Sequence, residues 1–299
     1  LPTHIDEALR TAQSKHLTRL DAQLLLGYTL ARPRSWVLAH GEEALPTDAA
    51  LRFVALCERR RAGEPLAYLC GEREFYGLAL QVTPAVLIPR PDTETLVDWA
   101  LQLLAASPAT PGQDPTPGRL AAPDVIDLGT GSGAIAIAVK AHRPRARLTG
   151  VDRSAPALEI ARLNAHRHGL EIDFRLGDWW EAIADARFDL AVTNPPYIAA
   201  NDLHLSGLSF EPLSALTAGR DGLDAIRAIV ADAGRHLRPA AWLLIEHGWN
   251  QADTVQQLLV DAGFAAISSR TDIEHRRRCT GGRWPASPSN AAPGAHAVK

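Results

Sequence analysis

From Ile5 to about Leu69 the apolar residues recur at helical spacing. They fall at Ile5, Ala8 and Leu9, at Leu20, Leu24 and Leu25, and at Leu51, Val54 and Ala55, with Pro33, Gly41, Pro46 and Gly63 as breaks. This predicts a small bundle of short helices, serving either as a brace or as a docking surface for a macromolecule. From Phe75 to Ile88 the pattern changes to alternation at Leu78, Leu80 and Val82, with Thr83-Pro84-Ala85 as a turn, which predicts a β-hairpin. Asp92 is placed to cap the helix that runs through Leu96, Trp99 and Leu103.

Ser107 to Pro123 holds five prolines and two glycines without apolar periodicity and reads as a surface loop. After it, short apolar runs alternate with helical stretches. Strands are expected at Asp124–Leu128, Ala146–Val151, Ile172–Leu176, Phe188–Thr193 and Ala241–Glu246. Helices are expected at Ser132–His142, Ala155–His168, Asp224–Leu237 and Asp253–Ala262. Ala265–Trp284 supplies two further strands around a turn at Thr280-Gly281-Gly282. Such alternation predicts an α/β fold, a Rossmann-like doubly wound sheet that is mostly parallel with an antiparallel C-terminal edge. The expected units are a helical domain over 1–73, a hairpin linker over 74–90, the α/β domain over 91–284 and a disordered tail over 285–299.

Composition changes this picture little. The 299 residues are 46% apolar and 22% charged, ordinary for a soluble globular chain, and no apolar run is long enough to span a membrane. Leu1 to Asp6 lack a signal-peptide pattern, so the cytoplasm is the expected location. The chain contains no methionine, so Leu1 is read as other than the original first residue. Basic and acidic residues number 31 and 34, and a net charge of −3 offers nucleic acid no global attraction. Cys57, Cys70 and Cys279 have no C-x-x-C spacing, which argues against a disulfide framework or a zinc site. No metal is expected. Arg59–Arg61 and Arg276–Arg278 read as solvated faces, His166 and His168 as surface residues, and the protein as a monomer.

The chemistry concentrates at strand ends. Asn194-Pro195-Pro196-Tyr197 closes the apolar run Phe188–Thr193, and two prolines cannot continue a central strand, so pairing stops there. One reading is a proline-rich strand exit. The other leaves the Asn194 amide and the Pro195 carbonyl free to accept the two protons of a planar –NH2, with the Tyr197 ring against its face. Asp127-Leu128-Gly129-Thr130-Gly131-Ser132-Gly133 runs from a strand into a helix, where glycines let backbone N–H groups approach a ligand. Asp152 ends the next strand, 19 residues after Gly133, placed to accept both hydroxyls of a ribose. Gly177-Asp178-Trp179 ends the third, where a carboxylate can take an adenine amino group and an indole can cover the ring; a structural role for Trp179 or Trp180 stands beside it.

The G-x-G-x-G spacing behind Asp127 resembles the turn of class I S-adenosylmethionine-dependent methyltransferases, and its pairing with Asn194–Tyr197 resembles the amino-methyltransferases among them. Five further stretches, Glu64–Leu69, Arg73–Phe75, Ile88–Glu94, Phe210–Leu213 and Asp221–Asp224, make the chain similar to the release factor glutamine methyltransferase (HemK/PrmC) family. The Pro-Arg-Pro-Asp-Thr-Glu segment favours that family over the sibling that modifies a ribosomal protein. The resemblance implies S-adenosyl-L-methionine as cofactor and peptide chain release factors as partners. The substrate is then the glutamine of their Gly-Gly-Gln loop, and 1–73 a substrate-docking domain. It implies cofactor contacts from Asp127, Gly129, Thr130, Gly131, Ser132, Gly133, Asp152, Asp178, Trp179 and Asn194. Substrate contacts would come from Asn194, Pro195, Pro196, Tyr197 and Arg90, with Arg90 or Glu94 at the mouth. The divergent helical N-terminus and Arg276–Arg278 depart from the family pattern. A DNA adenine methyltransferase shares the Asn-Pro-Pro-Tyr chemistry but needs a basic reading surface. A nicotinamide oxidoreductase leaves Asn194–Tyr197 without a role, and a non-catalytic adaptor would bind without turnover.

Overall fold

The computed structural model describes residues 1–106 and 122–286. The loop at Ser107–Pro123 and the tail expected from Pro285 therefore lie mostly outside the described residues. Five helices come first: α1 (Ile5–Ser14), α2 (Arg19–Leu30), α3 (Arg34–Ala39), α4 (Thr47–Arg61) and α5 (Leu66–Cys70). They enclose their own apolar cluster around Ile5, Leu25, Leu26, Val37 and Phe53. The buried stripe of α4 is Ala49, Ala50, Phe53 and Cys57, whereas the expected Leu51 is 54% exposed. Phe53 carries the larger apolar surface and takes the inward face.

Strands β1 (Glu72–Phe75) and β2 (Leu78–Gln81) form the antiparallel hairpin. Its turn is Tyr76-Gly77, both at positive φ, the geometry that matches strand twist. Thr83-Pro84-Ala85 is a separate turn after β2, closed by Val86 N–H donating to the Thr83 carbonyl at 3.0 Å. A short 3-10 turn at Pro91–Thr93 leads into α6 (Glu94–Ala106). Asp92 lies inside that 3-10 turn, and its carboxylate faces Arg278 at 3.2 Å.

The remaining elements are β3 (Asp124–Leu128), α7 (Ala134–His142), β4 (Arg147–Asp152), α8 (Ala155–Arg167), β5 (Asp173–Leu176) and β6 (Phe188–Thr193). After them come α9 (Asp224–His236), β7 (Leu237–Glu246), α10 (Ala252–Asp261), β8 (Ala265–Thr271) and β9 (Arg277–Arg283). The sheet order is β5-β4-β3-β6-β7-β9-β8, parallel from β5 to β7 and antiparallel at β9 and β8. Helices α6 and α7 cover one face and α9 and α10 the other. Central strands such as Val125–Leu128 are fully buried, as a two-sided sheet demands.

Thr280-Gly281-Gly282 is not a turn but the interior of β9, and the reversal lies at residues 272–276. A Cβ on Gly281 would stand 2.5 Å from Leu244 Cδ2 and 2.8 Å from Trp99 Cη2, so the glycine answers crowding across the sheet. Nor is Arg276–Arg278 one solvated face. Arg277 points outward to Asp253, while Arg278, 16% exposed, points inward to Asp272 and Asp92, as strand alternation requires.

Candidate active site

Chain order runs outward from β3 to β5 and then returns to β6 on the other side of β3, so the sheet reverses its winding between β3 and β6. A crevice opens at the carboxyl ends of strands around such a point. The glycine turn leaves β3 and Asn194 leaves β6, so two motifs distant in sequence become neighbours. A cavity of about 310 Å³ lies there. Gly129, Thr130, Gly131, Ser132, Asp152, Asp178, Trp179, Asn194, Pro196 and Arg90 all line it.

The glycine turn works differently from the expectation. The N–H groups of Gly129 and Thr130 both donate to the Val151 carbonyl, at 2.8 and 2.9 Å, and Gly133 N–H donates to Thr130. Gly131 N–H donates to Asp152 Oδ2 at 2.9 Å. These donors are already engaged, so the glycines supply space and positive φ rather than hydrogen bonds. A Cβ on Gly131 would meet nothing within 4 Å, whereas one on Gly129 would meet Trp179 Cζ3 at 3.1 Å. Gly133 stands back from the cavity and begins α7, close against Ile137 and Ala161.

Beneath the turn Asp127 is fully buried. Its Oδ2 accepts from Thr130 Oγ1 at 2.7 Å and from Ala136 N–H at 3.2 Å, while Oδ1 has no partner among the described residues. Burial pushes its carboxyl up to about 7. Asp152 is likewise raised by burial, against hydrogen bonds from the Ser154 and Gly131 N–H groups.

The two tryptophans separate cleanly. Trp180 is buried, stacks on His236 at 5.0 Å and donates Nε1–H to the Ile229 carbonyl at 2.9 Å, which makes it part of the core. Trp179 stays half-buried at φ +47°, and this unusual backbone turns its indole over Gly129 and into the cavity.

At β6 the Asn194 amide is tethered: Nδ2 donates to Thr93 Oγ1 at 3.1 Å. The amide expected to be free at this strand exit is thus engaged at its NH2 end. Among the described residues no donor reaches Asn194 Oδ1 or the Pro195 carbonyl. Pro195 is buried and is not among the residues that line the cavity. Tyr197 is half-buried, and burial, with Glu246 nearby, raises its hydroxyl well above the usual range. Its carbonyl accepts from Gln251 Nε2 at 3.0 Å, and Gln251 Oε1 accepts from Gly248 N–H at 2.8 Å. Gln251 thus clamps the Tyr197 end of the motif to the loop after β7.

Arg90 lines the cavity and pairs with the buried Glu211, whose other oxygen accepts from Ile88 N–H at 3.1 Å. Glu94 points away from the mouth, accepting from Tyr76 N–H at 3.1 Å. Thr93, Glu246 and Gln251 escaped sequence reasoning. The one available signal was Glu246 itself, a charge closing the apolar run Trp242–Ile245 of a central strand.

The same architecture is found among solved methyltransferases. The hMettl16 catalytic domain with an RNA hairpin matches with a TM-score of 0.54 at 15% identity, covering 84% of this chain and 87% of that one. The T. thermophilus 16S rRNA N2 methyltransferase with AdoMet and guanosine matches at 0.52 and 19%, covering 71% and 49%. The Methyltransferase small domain matches residues 113–207, and the PrmC N-terminal domain matches residues 3–71. The class is that of the Rossmann-like methyltransferases. Within it, the release factor glutamine methyltransferase of Xylella fastidiosa is 48% identical over 93% of this chain and 98% of its own. That of Burkholderia pseudomallei is 44% identical over 95% and 97%. The chain belongs to the release factor glutamine methyltransferase family.

Proposed function

We propose that this enzyme methylates the side-chain nitrogen (N5) of the glutamine in the Gly-Gly-Gln loop of peptide chain release factors, in the cytoplasm and as a monomer, with S-adenosyl-L-methionine as methyl donor. The observation that carries this reading is the pair of acceptors that no donor reaches among the described residues, Asn194 Oδ1 and the Pro195 carbonyl, at the strand end beside the glycine turn. The cavity fits the donor. Asp152 faces it with carboxylate lone pairs for a ribose, the Trp179 indole offers a flat apolar wall for a base, and Gly131 leaves open room. The orphaned Oδ1 of Asp127 beneath the turn suits a positively charged or hydrogen-bonding group above it.

An amide nitrogen is a poor nucleophile because its lone pair is delocalised into its carbonyl. Asn194 Oδ1 and the Pro195 carbonyl accept its two N–H protons, which holds the nitrogen in one orientation and favours pyramidal geometry. Tyr197, with a neutral hydroxyl, packs against the amide plane. Bound S-adenosylmethionine supplies an electrophilic methyl group. Transfer would form the N–C bond as the sulfonium S–C bond breaks, its electron pair staying on the departing thioether, and the cationic nitrogen would then lose a proton to solvent, so no strong base is required. Positioning and preorganised acceptors carry the rate, and orientation alone is worth up to about 7 to 11 kcal/mol in favourable systems.

The test is transfer of labelled methyl to purified release factor, with a Gln-to-Ala change in its Gly-Gly-Gln loop and duplex DNA as controls. Asn194→Ala is expected to lower turnover at least about 100-fold while cofactor binding persists. Near-normal activity in that variant, or label on DNA, overturns the reading.

A further inference from the structure

An asparagine amide is ambidextrous: it can show a ligand its oxygen or its NH2, and the two differ little in shape. The proposed chemistry tolerates only the oxygen. Something must decide which end faces the cavity.

The groups behind Asn194 supply the decision. Glu246, the last residue of β7, is 1% exposed and lies one strand over from the exit of β6. The Thr93 and Asn194 side chains are polar groups beside its carboxyl that favour its charged form, and its Oε2 has no partner among the described residues. Thr93 is 4% exposed and accepts from Asn194 Nδ2 at 3.1 Å. An ionised carboxylate can only accept. The nearby carboxylate therefore draws the Thr93 hydroxyl proton toward itself, which leaves the lone pairs of Thr93 facing Asn194. A lone pair calls for a donor, so Asn194 must present Nδ2 inward and Oδ1 outward. A buried carboxylate with one unsatisfied oxygen is costly, and an apolar residue would serve packing better.

We propose that Glu246, acting through Thr93, is a positioning residue that sets the Asn194 amide with its oxygen toward the substrate nitrogen. The inference rests on the reading of Asn194 as the acceptor. It also predicts a pH dependence. Burial pushes Glu246 up to about 7, with Asp92 on the 3-10 turn and Arg278 on β9 facing it, and it in turn acts on Tyr197 after β6 and Cys279 on β9. Once protonated it can donate to Thr93, whose own proton then turns toward Asn194 and favours the wrong end of the amide.

The experiment measures kcat, KM for release factor, and cofactor affinity from pH 6 to 9, with thermal melts to show that each variant is folded. Glu246→Gln can donate as well as accept, and Thr93→Val breaks the relay. Both are expected to lower kcat about 10- to 100-fold with KM and cofactor affinity unchanged. Thr93→Ser restores the rate lost in Thr93→Val. Wild-type kcat is expected to fall below about pH 7, and Glu246→Gln to lack that limb. Folded Glu246→Gln and Thr93→Val proteins with wild-type kcat and an unchanged acid limb overturn the proposal. An active Asn194→Ala variant would instead overturn the reading beneath it.

Discussion

His247 offers a quantitative test of the architecture that holds the Tyr197 end of the motif. It is 0% exposed and sits in a chain of hydrogen bonds whose directions follow from its ends. Its Nδ1 lies 2.9 Å from the Gly248 carbonyl, which can only accept, so Nδ1 carries the proton. Nε2 then accepts from Thr280 Oγ1 at 2.7 Å, Ser269 donates to Thr280 at 2.7 Å, and Gln256 Nε2 donates to Ser269 at 2.9 Å. A proton on Nε2 would oppose the Thr280 proton, and reversing the chain would leave the Ser269 hydroxyl accepting from both Thr280 and Gln256 with its own proton turned away from them. Burial first, then the charges of Arg277 and Arg278, lowers the imidazole from 6.5 to about 4. A depressed folded value means that stability is whole above pH 6.5 and is lost as pH falls toward 4. At pH 5 the unfolded chain gains the proton and the folded one does not, a loss of about 2 kcal/mol relative to pH 7. Asp127 and Glu246, both raised, titrate in the opposite sense over this range, so wild type alone would hide the effect. Urea unfolding of wild type and His247→Asn at both pH values cancels those groups. The wild-type advantage is expected to shrink by about 2 kcal/mol on going to pH 5. An advantage equal at the two pH values would refute the assignment of a neutral, locked imidazole.

The adjacent tryptophans are expected to part company. Trp179→Ala should weaken S-adenosylmethionine binding, measured by calorimetry, by about 1 to 3 kcal/mol with little change in melting temperature. Trp180→Ala should instead cost about 3 to 5 kcal/mol of stability in urea titration. Glu211→Gln leaves Arg90 without its charge partner and weakens the hold on Ile88, so it should raise KM for the cofactor by loosening the segment that carries Pro212 and Ser214 at the cavity. An unchanged KM would detach that ion pair from the site.

What could be read from the chain ahead of its structure divides along a physical line. Prolines and glycines act on their own backbone, so the Asn194–Tyr197 exit, the Gly129–Gly133 turn and the succession of strands they punctuate were legible. The same rule misplaced Thr280-Gly281-Gly282, because a glycine demanded by a neighbour across the sheet looks identical to one demanded by a turn. Leu244 and Trp99, which impose it, lie far away in sequence. Arg278 failed similarly: three consecutive arginines suggest a wet surface, and only strand pairing reveals that alternate members face Asp92 and Asp272. Thr93 and Gln251 had no local signature, and Glu246 showed only a charge at the end of an apolar strand, since each acts on a side chain or carbonyl delivered by a different element. The motif therefore encodes where the two acceptors stand, and the fold encodes which way the asparagine points. A chain that keeps Asn-Pro-Pro-Tyr but has no acceptor-only group behind it must orient its amide by another route, or it holds the acceptors in place without the direction that the chemistry needs.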